Sequence, residues 1–439
     1  MTEVRMRQRL FSVTGLVVVA GLVGLSAEPV QAQQRRQNAP VIGRKADDGT
    51  PPSQRQTGAG ATEAFGLSVR KGFSLSLALE NVPGVRFIET DPAGRLFVSR
   101  PQQGDVLMFE DRDGDGVFEA KTTLAEGFPT AHGLCYHAGF LWFTQSGAIH
   151  KVRVDDLKPN AKPEVITVIK QGELPTGGGH WWRSILVDDD HLYTSIGDSG
   201  NISDETKTER QKVWRFKLDG SGKTLFASGL RNTEKLRHRP GMSEVWGVDH
   251  GSDWFGKDAG EGNDRLPITD YNPPCEFNKY VEGGFYGHPF VTGFKAPRYE
   301  YAFGKQKRDD IVELADKTIP PAWAFVAHSA ANAFTFLDPA RCGPGKGMPA
   351  EFAGDAFVAE RGSWNRSELS GYAVVRVLFD NGLPYGALNV VSTLSEDGQS
   401  HNGKPIDCVQ MPDGSVLFSV DSMKDGKARV FRIRHEQAK

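Results

Sequence analysis

An all-β, six-bladed β-propeller is the fold class this sequence predicts, on three observations. The composition favours strands and turns over long helices, with 50 Gly, 25 Pro and 26 Phe in 439 residues. One pattern recurs six times: an apolar alternating strand, a turn carrying Asp, Pro or Gly, and a second such strand. The copies begin at residues 85, 133, 184, 235, 333 and 407, spaced 48, 51, 51, 98 and 74 residues apart. A period near 40–50 residues with about four strands per unit is what propeller blades produce. A run of unrelated hairpins in two sandwiches is the alternative, since the copies share pattern more than identity.

The chain opens with Arg5, Arg7 and Arg9, an uncharged apolar run from Leu10 to Ala27, and Val30-Gln31-Ala32 with small residues suited to signal peptidase. Residues 1–32 therefore read as an export signal, with an uncleaved membrane anchor as the alternative. No later stretch is long and apolar enough to span a bilayer. A periplasmic or secreted location follows. Residues 33–64, rich in Gln, Gly, Pro and charge without apolar periodicity, read as a disordered linker. The propeller domain is expected over 65–439, with a long insertion near 251–320.

Removing Arg5, Arg7, Arg9, Glu3 and Glu28 from the 52 basic and 55 acidic side chains leaves 49 against 53, a net charge of −4. That balance gives no footprint for nucleic acid or an anionic membrane. In an oxidising compartment the four cysteines could pair. Cys275 and Cys342, in the loop-like contexts PPCEF and ARCGPG, are the expected bridge, and Cys135 and Cys408 are expected as buried thiols in strands. No CxxCH occurs, so no c-type haem is attached.

Within the repeats, some stretches carry chemistry. Asp111, Asp113 and Asp115, followed by Gly116, place carboxylates at alternate positions before a turn glycine, as a calcium loop does. The twelfth position is Thr122, so this is no full EF-hand, and an acidic turn is the alternative. In GGGHWWR (177–183) a histidine sits among glycines at the mouth of a strand, where a general base could reach a substrate. Arg231 and Asn232 in SGLRN offer a planar fork of donors beside an amide. Asp249, Gly251 and Ser252 in VDHGSD end a strand where backbone carbonyls could meet a hard cation.

The order GGGHWWR, YTSIGDSGN, SGLRN, VDHGSD, GGFYGHP (283–289), ERGSWNRSELSGYAVVRV (360–377) and GKPIDCVQMPDGS (403–415) resembles the pyrroloquinoline quinone (PQQ)-dependent soluble glucose and sorbosone dehydrogenase family. The likeness runs from about residue 70 to the end and is greatest to the sorbosone-like branch. It implies a six-bladed propeller, PQQ and Ca²⁺ as cofactors, a small-molecule sugar substrate and a separate electron acceptor. His180 would be the general base. Arg231 and Asn232 would grip the cofactor, Asp249 would stand beside them, and the carbonyls of Gly251 and Ser252 would ligate calcium. Arg361, Arg366 and Lys404 would face the cofactor's carboxylates. Two departures stand out: Ile406 occupies the position of a second basic residue, and Glu360 stands where a lysine is expected. Trp181 and Trp182 are expected to narrow the pocket. The rival functions are a calcium-dependent lactonase-type propeller and a propeller that binds without catalysing.

Overall fold

The computed structural model describes residues 57–58, 60–157, 163–254 and 267–436. The expected export signal, most of the linker and part of the expected insertion lie outside them.

Six antiparallel sheets form the ring, and each of the six sequence repeats is the inner hairpin of one blade. Blade 1 consists of Ile88–Thr90, Leu96–Arg100, Asp105–Glu110 and Ala120–Glu126. Blade 2 is Leu134–His137, Phe140–Thr144, Ile149–Arg153 and Val165–Ile169. Blade 3 runs Leu186–Val187, His191–Ile196, Lys212–Lys217 and Thr224–Ser228. Blade 4 is Thr233–His238, Val245–Asp249, Cys275–Tyr280 and Trp323–Phe325. Blade 5 is Ala331–Phe336, Ala356–Glu360, Ala373–Asp380 and Leu383–Ser392. Blade 6 takes Pro405–Gln410, Val416–Val420 and Arg429–His435 from the end of the chain and Phe73–Leu79 from its beginning. That last pairing closes the ring and removes its open edge.

The inner hairpins form where they do for a local reason. In blades 1, 3, 5 and 6 the turn carries Asp91, Asp188, Asp338 or Asp413, whose carboxylate accepts a backbone N–H two to four residues on. Such side-chain-closed turns are what Asp supplies between two strands. Strand residues then alternate between neighbours rather than between core and solvent. Leu96 and Val98 pack toward blade 6, while Phe97 between them packs toward blade 2. Each adjacent blade pair shares one such apolar cluster, so both faces of every blade are covered.

The axis is crossed by ion pairs. Arg86, entering blade 1, meets Glu234 of blade 4 at 2.9 Å, and Arg237 of blade 4 meets Glu89 of blade 1 at 3.1 Å, joining blades on opposite sides of the ring. Lys235 reaches Asp407 of blade 6 at 2.8 Å.

Three expectations are corrected. The expected insertion at 251–320 is interrupted by Cys275–Tyr280, a full strand of blade 4. The chain beyond it climbs the outer edge of blade 3, where Gly284–Phe285 pairs in parallel with Ala227 and Ser228. It then forms a small apolar unit around Phe290, Tyr301 and Ile311 before returning. No bridge joins Cys275 and Cys342, and both are free thiols. Cys275 is buried in the strand that follows Pro273-Pro274, and Cys342 lies beside Gln410. Strand pairing begins at Thr62–Ala64, inside the expected linker. Among the described residues no helix is long and apolar enough to cross a membrane.

Candidate functional site

In an up-and-down blade the connection between strands 2 and 3 and the crossing from strand 4 to the next blade emerge on the same face. His180 lies on the crossing from blade 2 to blade 3, Arg231 on that from blade 3 to 4, and His328 on that from blade 4 to 5. Asn201, Gly251 and Asn365 lie on 2–3 connections of blades 3, 4 and 5. These six line one cavity of about 360 Å³. Four blades thus contribute to a site no local stretch contains.

The turn carrying His180 is held from beneath. Arg183, fully buried, donates to the carbonyls of His180 at 3.3 Å and Trp182 at 2.8 Å, and also to that of Pro175. Gly197 permits the close approach of the next loop, since a Cβ there would lie 2.8 Å from the His180 Cβ and 3.0 Å from the Arg231 carbonyl. The imidazole Nδ1 is 2.9 Å from the Asp198 carbonyl. A carbonyl only accepts, so Nδ1 carries the proton and Nε2 presents its lone pair. Burial, and then the Arg231 charge, push the His180 pKa down to about 3, so the ring stays neutral at working pH. An anion held against Arg231 removes part of that depression and makes the base stronger.

Arg231 is itself fixed. Its Nε and Nη2 donate to the carbonyl and side-chain oxygen of Asn201 at 2.9 and 2.7 Å, and Nη1 donates to the Gly251 carbonyl at 3.0 Å. Two of its five N–H groups make no hydrogen bond among the described residues, and Nη2 also lies 3.6 Å from the Asp253 carboxylate. The Gly251 carbonyl keeps one lone pair, and the Asp253 carboxylate lines the same cavity. Among the described residues, three buried polar atoms of the lining have no partner: the donors Asn201 Nδ2 and His250 Nε2, and the acceptor Asn365 Oδ1. Buried polar groups are rarely left unsatisfied, so these mark where a polar ligand would bond.

Other expected site residues sit elsewhere. Asp249 is buried below the loop, accepting from the backbone N–H groups of Arg231 at 2.9 Å and Asn232 at 2.7 Å, so it shapes the Arg231 turn instead of facing the cavity. The Asn232 amide points down to Glu234 and His250 at 3.1 and 3.2 Å. The Ser252 hydroxyl is buried between Arg298 and the Trp254 carbonyl. Trp181 and Trp182 stack on each other at 3.6 Å. Trp182 lies against His132 and Arg86 near the axis, so the indoles do not narrow the cavity. Arg361 and Lys404 stand half-buried on the same face, near each other, with Arg361 paired to Asp421 at 2.8 Å, while Arg366 lies over the Tyr271 ring. Glu360 is buried and its carboxyl is pushed up to about 8 by desolvation, so at neutral pH it is an acid without charge.

The Asp111, Asp113 and Asp115 oxygens do cluster, within 4.8 Å of one another. Their loop is a 3–4 connection of blade 1, however, and so lies on the opposite face of the ring. His250, Asp253 and Asn365 were in motifs visible in the sequence without an assigned role. Nothing in the sequence around His328 marked it.

Buried titratable groups set the pH dependence of stability. His132, His150, His180 and His288 have pKa values lowered by burial, so between pH 6.5 and about 4 the unfolded chain binds protons the folded one refuses. Their contribution is complete above pH 6.5 and is lost on acidification. Glu276 and Glu360, both raised to about 8, act oppositely: their contribution is complete below about pH 4.5 and lost as pH rises through 8. His250, His328, His401 and His435 are lowered by burial as well, so the histidines outnumber the raised carboxylates Glu276, Glu360 and Asp249, and urea midpoints should peak near pH 6.5 and fall on both sides.

Comparison with known proteins agrees with this architecture. Residues 67–400 match the model of the TrAA12-like family. An uncharacterized protein of Borreliella burgdorferi is 24% identical over 390 residues, covering 84% of this chain and 91% of that protein. Among solved structures, the iodide structure of the Trichoderma reesei carbohydrate-active enzyme of family AA12 superposes with a TM-score of 0.67 at 18% identity, over 84% of this chain and 97% of that one. The holo form of the pyranose dehydrogenase PQQ domain from Coprinopsis cinerea gives 0.66 at 17% identity, over 86% and 99%. With three quarters of its length matched by the family model, the chain belongs to the TrAA12-like family.

Proposed function

We propose that this protein is an exported quinoprotein dehydrogenase that oxidises a sugar or related polyol hydroxyl and passes the electrons to a separate acceptor. The observation that carries the reading is the pairing of a tautomer-locked His180, its Nε2 free, with the fixed guanidinium of Arg231 across one cavity. The residues fit an anionic, acceptor-rich quinone such as PQQ: Arg231, the orphan donors of Asn201 and His250, and the cations Arg361, Arg366 and Lys404 on the same face. Calcium would take hard oxygens from the Gly251 carbonyl and Asp253. When bound, the quinone supplies the hydride acceptor. His180 Nε2 takes the substrate hydroxyl proton, Arg231 holds developing negative charge, and Asn365 Oδ1 accepts from a hydroxyl. A sorbosone-like aldose is the finer substrate reading, supported by the SWNR and GGFYG segments.

The lactonase alternative needs several carboxylates around a central metal. Here the axial acids Glu234, Glu89 and Asp407 are each bonded to a cation of the chain.

The test is to add PQQ and Ca²⁺ to the purified protein and follow quinone binding and dye reduction with a panel of aldoses and sugar alcohols. Binding with sugar-dependent reduction is expected. Absence of binding at micromolar quinone overturns the reading, and binding without turnover favours a non-catalytic propeller.

A further inference from the structure

The sequence from Gly284 to Pro289 leaves blade 4, crosses to the outer edge of blade 3 and brings His288 to the loop beneath His180. Tyr286 N–H donates to the Ser228 carbonyl at 2.8 Å and His288 N–H to the Gly229 carbonyl at 2.9 Å, so the segment runs beside the chain that leads into Arg231. Gly229 makes room: at φ 76° it has no Cβ, and a Cβ there would lie 2.7 Å from the Gly287 nitrogen. His288 Nε2 then reaches the Asp198 carboxylate at 2.7 Å, with both side chains buried.

Asp198 is the hub of the loop. Its carboxylate also accepts from Gly200 N–H at 2.7 Å, Ser203 N–H at 2.9 Å and Gln211 Nε2 at 3.1 Å. Its own N–H donates to the Arg231 carbonyl at 2.8 Å, and its carbonyl takes the His180 Nδ1 proton. Hydrogen bonding holds the carboxylate well below its ordinary pKa, so it stays an acceptor and His288 must donate. The backbone oxygen that sets the tautomer of His180 is therefore part of a turn anchored by His288.

We propose that His288 is a positioning residue for His180, acting through Asp198, and that the segment climbing blade 3 exists in this chain as a support for the base. Loss of the His288 donor removes the shortest of three hydrogen bonds to Asp198 Oδ2 and a tie between this loop and the segment on blade 3, so the buried carboxylate is less well compensated and the turn relaxes. The Asp198 carbonyl then moves off the Nδ1–H direction, and the imidazole samples the tautomer with the proton on Nε2, which cannot accept a proton from substrate. Partners of this second layer commonly affect function by about 10–100-fold at metal-bound histidines, and the same mechanical logic applies here.

The proposal rests on His180 being the base, and its test separates the two. His288→Leu removes the donor at similar volume, and His288→Gln restores an N–H near the position of Nε2. The first readout needs neither cofactor nor substrate: ¹⁵N spectra of histidine-labelled protein, with the His180 signals assigned by their loss in His180→Ala. Wild type should show His180 as the single Nδ1–H tautomer, His288→Leu a mixture, and His288→Gln the wild-type state. The second readout is steady-state kinetics with PQQ, Ca²⁺ and the best aldose. His288→Leu should lose at least tenfold in kcat with KM within about twofold, and His288→Gln should recover to within about threefold. An unchanged His180 tautomer in His288→Leu, or a glutamine variant no better than leucine, overturns the proposal. If wild type oxidises no sugar, the dehydrogenase reading fails while the tautomer spectra still decide the role of His288. Should the leucine variant not fold, His288→Asn, whose amide stops short of Asp198, takes its place.

Discussion

On the proposed function, replacing His180 with Ala should lower kcat by roughly 10²–10⁴-fold while quinone affinity stays within about threefold. The reason lies in how little else can do its work. The other imidazoles on the cavity wall are committed differently: His328 donates from Nε2 to the Thr269 carbonyl at 2.7 Å, and His250 takes a hydrogen bond from Asn232 at Nδ1, leaving a donor at Nε2. His250 thus offers a donor, and the lone pair of His328 is on Nδ1, on a different crossing of the ring from His180. His180→Gln should be nearly as inactive, because an amide nitrogen at that point cannot take a proton. A drop in kcat below tenfold, or loss of quinone binding in step with activity, would contradict this assignment. Burial, the larger cause of the low His180 pKa, persists when an anionic quinone offsets part of the Arg231 contribution, so the acid limb of kcat/KM should lie below the usual histidine range.

Replacing Lys235 with Ala should cost about 3–5 kcal/mol of stability, the size expected when one partner of a buried pair is removed. Lys235 is 1% exposed and Asp407 is 0% exposed, so the carboxylate cannot turn to water for compensation. It would keep only the backbone N–H groups of Ile88 and Cys408, at 3.0 and 2.8 Å. The control is Lys235→Met with Asp407→Leu. Removing both charges at similar volume should recover most of the loss, as measured by urea unfolding. If the single variant loses less than about 1 kcal/mol, the Lys235–Asp407 pair is not what ties blade 4 to blade 6 at the axis.

The parts of this molecule legible in the sequence are those whose causes are local. Each inner hairpin carries both strands and its turn within one short stretch, and the Asp that closes the turn in four blades is visible as a residue type. What could not be read depends on distant partners. Phe73–Leu79 becomes a strand of blade 6 only because Arg429–His435 returns to meet it. Gly284–Phe285 pairs with Ala227 and Ser228, almost sixty residues away, and nothing in GGFYG announces that edge. Pro273-Pro274 made Cys275 look like part of a loop, although the two prolines precede the strand rather than interrupt it.

The site shows the same division. His180, Arg231 and Gly251 were picked out by motif and converge. Asn232 and Asp249 lie in the same motifs but turn inward, because neighbouring residues at a strand end point to opposite sides and spacing alone does not say which side holds the ligand. The Asp111 loop clusters its three carboxylates as its spacing suggests, and counting strands within blade 1 places it on the face away from the cavity.

Among the described residues, ion pairs of blades 1, 4 and 6 occupy the axis, and the cavity that holds His180 lies on one face of the ring. On the proposed function, sugar, oxidised product and electron acceptor all use the mouth of that cavity. Oxidation and electron delivery then take turns at one threshold, and a sugar lodged there shuts the acceptor out. Kinetics of the ping-pong kind follow, with excess sugar competing against the acceptor.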